Sequence, residues 1–262
     1  MKQVILRGMV IAGLCFAVSP SMANADVLNN LQGYWQFESD GSDTSGAGRD
    51  LDIVGGAGFE TGLFGNALNL PGSVSQYALG QSNETAFDLG GADFTIQTWV
   101  NFHATSGEQV LFEKFTGGAG PGYTLTKLSD GRIQFFAAGY TSVVSPNAGL
   151  GTTDWHHIVM RRSGSDLDIF VDNSSIIQTT AAGSVTPTTN HLLIGERDGG
   201  SQSFPLNGLV DEVAFWNRGL SDSDISQLYN NGNGFALVAI PEPSSVSLLA
   251  LLGLLAVRRR NR

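Results

Sequence analysis

The chain has 262 residues, 34 of them glycine, with 15% charged residues and a formal net charge of −10. A basic nucleic-acid footprint is thereby excluded, and the single cysteine, Cys15, lies in a leader, which excludes a disulfide-stapled domain in the mature chain. Gly with Val, Ile, Thr and Phe favours strands and turns over helices, and an all-β sandwich often fills about 200 to 250 residues as one domain.

The first 25 residues read as a secretory signal peptide: Lys2 and Arg7, an apolar run from Met9 to Val18, then Ala23-Asn24-Ala25 as the cleavage site, with Ala25 the last residue removed. Taking away six basic residues and one acidic residue at the two ends leaves eight basic and 23 acidic residues, a core charge near −15. Such a surface suits an exported protein, or oxygen-ligand calcium sites.

In chain order, Gly33 to Phe37 reads as the first strand, followed by a polar loop from Asp40 to Asp52. Gly62 to Leu70 carries the next strand. Phe94 to Phe102 alternates, with Phe94, Ile96, Thr98, Val100 and Phe102 on one face and Thr95, Gln97, Trp99 and Asn101 on the other. Strands are expected at 109–115 and 123–128, joined by the Gly-rich 117–122 loop, which lacks the lysine of a phosphate loop. Asp130-Gly131 is a turn into a strand at 132–137. Further strands fall at 155–160, 168–171 and 192–195, with Asp172-Asn173 as a turn that tolerates positive φ. The segment 209–216 alternates Leu209, Asp211, Val213 and Phe215 with Val210, Glu212, Ala214 and Trp216. Ser221 then caps a short helix with Asp224 at its third position, Leu220 and Ile225 form a hydrophobic staple, and Gly232 ends it. Turn-punctuated strands with one late helix argue a two-sheet antiparallel sandwich, all-β, over 26–238.

The segment from Gly208 to Gly232, with its Gly-Leu-Val-Asp-Glu-Val, Trp-Asn-Arg, Leu-Ser and Leu-Tyr positions, resembles the closing segment of laminin G-like, concanavalin A-like jelly-roll domains of bacterial secreted proteins. Asp43 to Gly48 resembles the family's Asp-Ser-Ser-Gly loop, with Arg49 where Asn is usual, and 62–70 resembles its Gly-x-x-Gly-x-Ala-Leu strand. The resemblance implies a structural calcium held by Asp43 and Asp211, with Asp40 as a further nearby carboxylate and backbone carbonyls completing the shell. On residue type alone Asp43 reads equally as an Asx turn, and Asp211 as a buried carboxylate bonded to amides.

At the other end, Pro241-Glu242-Pro243, an uncharged run and Arg258 to Arg262 resemble a PEP-CTERM sorting tail. That implies recognition by an exosortase, transient membrane anchoring through 239–262, and a location in the cell envelope or outside of a Gram-negative bacterium.

His156 and His157 are neighbours on a strand and so point to opposite faces. Asp166/Asp168 and Asp211/Glu212 are the nearest approaches to a glycosidase carboxylate pair, but Asp211 and Glu212 are expected on opposite faces, and the clustered acidic strand of concanavalin-fold glucanases is absent. No catalytic residue is assigned. Sugar binding needs aromatics for stacking, for which Trp99, Tyr140 and Phe204 are available, with Arg197 as a polar partner. The function expected is non-catalytic binding of polysaccharide or matrix glycans. A structural or adhesive role against other proteins, and a divergent polysaccharide-cleaving enzyme, are the alternatives.

Overall fold

The computed structural model describes residues 25–151, 154–197 and 203–237. All of the expected signal peptide but Ala25, the sorting motif and the C-terminal apolar run lie outside the described residues. No described helix is long and apolar enough to cross a membrane.

Among the described residues fifteen strands, numbered in chain order, form two sheets with every pairing antiparallel. The first sheet runs β13 (Ser174–Thr180), β12 (Asp166–Val171), β11 (Trp155–Ser163), β6 (Phe94–Phe102), β15 (Asn207–Trp216), β4 (Asn66–Pro71), β3 (Gly58–Thr61), and β1 (Leu31–Trp35) also pairs with β15. The second runs β10 (Val143–Asn147), β9 (Arg132–Ala137), β8 (Gly122–Lys127), β7 (Gln109–Phe115), β14 (Leu193–Ile194), β5 (Tyr77–Leu79), β2 (Asp52–Val54). The two-sheet sandwich expected from the sequence is what forms. Strands β6, β7 and β9 coincide with the predicted segments.

Alternation explains the core. Phe94, Ile96, Val100 and Phe102 of β6 enter the layer between the sheets, where they meet Tyr123, Leu125, Ile133 and Phe135 of the facing sheet. A second cluster lies on the other side of the first sheet: Tyr34, Val159, Ala214 and Trp216 are covered by Val27 of α1 (Ala25–Leu28), by Ile225 and Leu228 of α2 (Asp222–Tyr229), and by Leu237. Helix α2 begins as its sequence prescribes. Ser221 accepts from the Asp224 amide while the Asp224 side chain accepts from the Ser221 amide, a complete capping box. It ends two residues before the expected glycine, because Asn230 adopts the left-handed conformation at φ 46°. The Asp172-Asn173 turn has positive φ at both residues, 50° and 65°, as its residue types allow.

One expectation fails in an informative place. Strand β15 does not alternate throughout. β4 pairs with Asn207–Val210, β1 pairs with Val213–Trp216, and the register against β6 shifts between Asp211 and Ala214. Glu212 takes φ 51° in that gap, so the strand bulges where one edge neighbour hands over to the other. Val210 and Val213 both face the inner core. The two acids between them are therefore turned to the same outer side, where sequence alternation had put them on opposite faces.

Candidate functional site

Helices and chain ends cover the outer face of the first sheet, and no described helix lies over the outer face of the second. The outer face of the second sheet carries Glu113 and Phe115 of β7 and Thr124 and Thr126 of β8, all buried, and the half-buried Gln134 and Phe136 of β9, each one position out of phase with the inward residues Phe112, Tyr123, Leu125, Ile133 and Phe135. The Thr124 and Thr126 hydroxyls bond to each other at 2.9 Å. Phe115 and Phe136 meet edge to face, centroids 5.4 Å apart, and Phe136 stays half-buried.

The segment after β14 adds a polar corner. Arg197 Nε donates to Glu113 Oε2 at 3.2 Å, and the guanidinium lies 4.6 Å from the Phe204 ring centroid. Glu196 Oε1 accepts from the amides of Arg197 and Phe204, at 2.7 and 3.0 Å, which ties the two ends of the 196–204 loop together. Burial pushes the Glu196 carboxyl up, although the two amides pull the other way. Two acids thus flank Arg197, a pair that sequence spacing did not reveal, since Glu113 on β7 and Glu196 just after β14 lie far apart in the chain. Arg197 and Phe204, two of the residues the sequence offered for sugar binding, sit at the edge of this face. Phe115, Phe136, Thr124, Thr126 and Gln134 were missed as site residues. Their only sequence signal is the outward half of the alternation in 122–127 and 132–137.

Trp99 and Tyr140 are not part of this face. Trp99 is 1% exposed on the helix-covered side, stacked on His157 at 4.8 Å and Tyr229 at 5.9 Å. As a sugar platform it is overturned: α2 covers the ring. Tyr140 packs edge-on against Phe135 at 6.3 Å and under the Arg162 guanidinium at 5.5 Å. His156 and His157 diverge as expected. His156 Nδ1 pairs with Asp172 at 2.8 Å, whereas His157 Nε2 meets Gln97 Oε1 at 3.0 Å. Asp166 is exposed and Asp168 is buried against Arg161, 2.9 Å away, so they do not converge as an acid pair.

The implied calcium ligands separate. Asp43 closes its own loop: Oδ1 accepts from the Tyr34 and Ser45 amides at 3.0 and 2.9 Å, and Oδ2 from the Arg49 amide at 2.9 Å. Burial works against the charge, but these bonds hold Asp43 below the usual carboxylate range. Asp40 is exposed and accepts from the Ser42 amide at 2.9 Å. Asp43 bonds to β1, and Asp211 belongs to β15 on the other edge of that strand. Asp211 Oδ2 accepts from the Leu63 and Phe64 amides at 2.9 and 3.2 Å, while its Oδ1 has no hydrogen-bond partner among the described residues. Burial pushes Asp211 up to about 7. Burial and the Asp211 charge push Glu212 up to about 8, against the bond it accepts from the Tyr34 hydroxyl. Among the described residues, no group of three or more His, Cys, Asp or Glu side chains is arranged to hold a metal ion. Asp211 keeps one oxygen without a hydrogen-bond partner among the described residues, whereas both Asp43 oxygens accept from amides.

The glycine of the Gly-Leu-Val-Asp stretch has a steric reason. A Cβ at Gly208 would lie 2.1 Å from the Asn101 carbonyl oxygen of β6. The sequence profile of the laminin G-like group of the concanavalin A-like lectin/glucanases superfamily matches residues 73–226. The chain belongs to this superfamily. No curated protein matches it by sequence. Among solved structures, this lectin/glucanase domain is similar to the binding domain of Paraclostridial Mosquitocidal Protein 1, with TM-score 0.63 and 18% identity over 79% of this chain and 53% of that one. It is also similar to domain 4 of an extracellular arabinanase from Geobacillus stearothermophilus in complex with arabinotriose, with TM-score 0.61 and 15% identity over 79% of this chain and 98% of that one. The receptor binding domain of a botulinum neurotoxin C/D mosaic serotype matches at TM-score 0.57 and 12% identity, over 78% of this chain and 51% of that one. The chain thus spans about half the length of the toxin domains and nearly all of the arabinanase domain. Such identities establish the shared fold, and function has to come from the site.

Proposed function

We propose that the domain is a non-catalytic glycan-binding module that uses the open face of the second sheet. The observation that carries this reading is the set of half-buried side chains Phe136, Gln134, Arg197 and Phe204 on the outer face of the second sheet, over which no described helix lies. An aromatic ring accepts the apolar face of a sugar, and rigid polar groups beside it fix the hydroxyls. An apolar protein-docking patch has less support, because Val74 is the only large hydrophobic residue classed as exposed among the described residues. The similar arabinanase domain was solved with arabinotriose, which suits the same reading. Glu113 and Glu196 are held by Arg197 and by loop amides, a bracing arrangement that favours binding over hydrolysis. The test is retention on a polysaccharide panel, with released reducing ends read from the same samples. Phe136→Ala is expected to lower retention at least tenfold without changing the melting midpoint by more than a few degrees. New reducing ends that disappear in Glu196→Gln would replace the binding reading with an enzymatic one.

A structural calcium is proposed at Asp211, completed by backbone carbonyls. Calcium is expected to raise the melting midpoint of the wild type and of Asp43→Ala alike, and to have no effect on Asp211→Asn. Loss of the shift in Asp43→Ala alone would restore the original ligand set.

Export follows from the two ends of the sequence. We infer secretion after Ala25, recognition of Pro241-Glu242-Pro243 by an exosortase, and an envelope or extracellular destination. Mass spectrometry of the protein from its own host is expected to find Asp26 as the first residue and no peptide from 244–262. An intact C-terminus in the released protein would sink the sorting reading.

A further inference from the structure

A pocket of about 350 Å³ lies where the loop after β5 meets the segment before β14, lined by Asn83, Thr85, Asp88, Pro187, Thr188 and Thr189. That volume falls within the range of small-ligand sites, roughly 300–1,000 Å³. Its two walls are fixed to each other and to the core. The Asn83 amide donates to the Thr189 carbonyl at 3.0 Å, and the Asp88 amide donates to the Thr85 carbonyl at 3.0 Å, closing a turn. The Tyr123 hydroxyl, inside the core, donates to the Phe87 carbonyl at 3.0 Å, and Asn190 Nδ2 donates to the Phe115 carbonyl of β7 at 2.8 Å. A pocket held in shape before binding loses little freedom when it fills.

Asp88 supplies the chemistry. Its Oδ1 accepts from the Lys114 ammonium at 2.6 Å, and the same ammonium donates to the Thr188 carbonyl of the opposite wall. Lys114 is 1% exposed, whereas the Asp88 side chain stays 20% exposed. A buried cation therefore orients the carboxylate from the protein side, and Asp88 Oδ2 has no hydrogen-bond partner among the described residues. The hydroxyls of Thr85 and Thr189 bond to no described residue either, and both residues are exposed. The Thr188 hydroxyl accepts from the Asn190 amide at 3.2 Å and keeps its own proton to donate.

This set of groups selects its occupant. The open carboxylate oxygen calls for a donor, and an O–H donor to a carboxylate makes one of the stronger hydrogen bonds. A cation gains little, because Lys114 already neutralises Asp88. An anion would meet that carboxylate on a chain of net charge −10. A neutral ring with adjacent hydroxyls satisfies every group: one hydroxyl donates to Asp88, its neighbours exchange hydrogen bonds with the threonines, and ring C–H groups lie on Pro187. We propose that this pocket is a second glycan-binding site, which takes one neutral sugar unit through a pair of adjacent hydroxyls, with Asp88 as acceptor and Thr85 and Thr189 beside it. It shares no residue with the open face of the second sheet, so the two sites stand or fall separately.

The test titrates the isotope-labelled protein with methyl galactoside, methyl glucoside and methyl mannoside, and with methyl galacturonoside, which replaces a hydroxymethyl group by a carboxylate. Backbone amide shifts report where each probe binds. At least one neutral probe is expected to move the amides of 83–89 and 188–190, and the uronate is expected to bind at least tenfold more weakly than methyl galactoside. Asp88→Asn is the direct variant, but it leaves the Lys114 charge unpaired in the interior and endangers the fold. The double variant Thr85→Val, Thr189→Val keeps the shape and removes two hydroxyls that hold nothing else. It is expected to weaken the neutral probe about tenfold, the loss that two neutral hydrogen bonds carry, at an unchanged melting midpoint. Phe136→Ala is expected to leave these shifts as they are. Shifts confined to β8 and β9 overturn the second site and leave the open face standing. Equal binding of the uronate and methyl galactoside, or full affinity in the double valine variant, also overturns it. So does silence of 83–89 and 188–190 toward all four probes.

Discussion

Trp99→Ala is expected to lower folding stability by about 4 kcal/mol while leaving glycan retention by the folded fraction unchanged. The magnitude is that of removing a fully buried tryptophan, about 3–5 kcal/mol, because the surrounding ring stack cannot collapse into the space. Trp99 lies near-parallel to His157 and Tyr229, at interplanar angles of 22° and 6°, and those two rings meet each other at 6.2 Å, so its loss also unseats the turn of α2 that carries Tyr229. Denaturant unfolding of the variant gives the stability change, and retention at a temperature where both proteins are folded gives the rest. A stable variant that no longer binds would return Trp99 to the role its residue type first suggested and move the binding face to the helix-covered side. Trp99→Ala and Phe136→Ala are thus predicted to separate cleanly, one acting on stability and the other on binding.

The second prediction concerns the neighbour in that stack. Burial holds the His157 imidazole down at about 3, against a smaller pull upward from the Asp172 charge. The folded protein keeps this ring neutral where the unfolded chain, with an ordinary histidine near 6.5, takes up a proton. Its contribution to stability is therefore complete above pH 6.5 and is lost as the pH falls toward 3. Between pH 7 and pH 4 the wild type should lose about 3 kcal/mol relative to His157→Gln, at roughly 1.4 kcal/mol per pH unit below 6.5. The comparison must be with the variant, because Asp211 and Glu212, lifted to about 7 and about 8, oppose it over the same range. Their raised values stabilise the fold most at low pH and cease to do so as the pH rises through 7 to 8. Parallel pH profiles for wild type and His157→Gln would show that water reaches the ring and that its neutrality costs nothing.

What the sequence disclosed follows from what each element needs. A strand buried on both faces, such as β6, must be apolar or β-branched almost throughout, and its limits were readable to the residue. The capping box at Ser221 is a local device and was equally plain. Strands β2, β3, β5, β10 and β13 were missed, being mostly short or partly exposed, and Pro146 within β10 argues against a strand when read alone. The bulge at Asp211-Glu212 was not legible, since its cause is not local: β4 and β1 meet there along one edge of β15. The same holds for the open face. Phe136 and Thr124 alternate as any outward strand residues do. Their importance depends on the absence of helices over that sheet, a property of the assembled topology.

The way the chain's described ends are fastened has a mechanical consequence. Val27 accepts from the Trp216 indole at 2.7 Å and the Leu237 amide donates to the Tyr34 hydroxyl at 2.9 Å, so both ends are stitched to the same side of the sandwich. That side is opposite the open face. Whatever is joined to either end, tether or neighbouring domain, attaches at the back and leaves the palm facing outward. A load along such a tether would reach the stitches at Trp216 and Tyr34 before it reached the strands β7, β8 and β9, where ligand binding is proposed. The proposed binding face and the fastening thus belong to different sheets, and a pull from behind meets the fastening first.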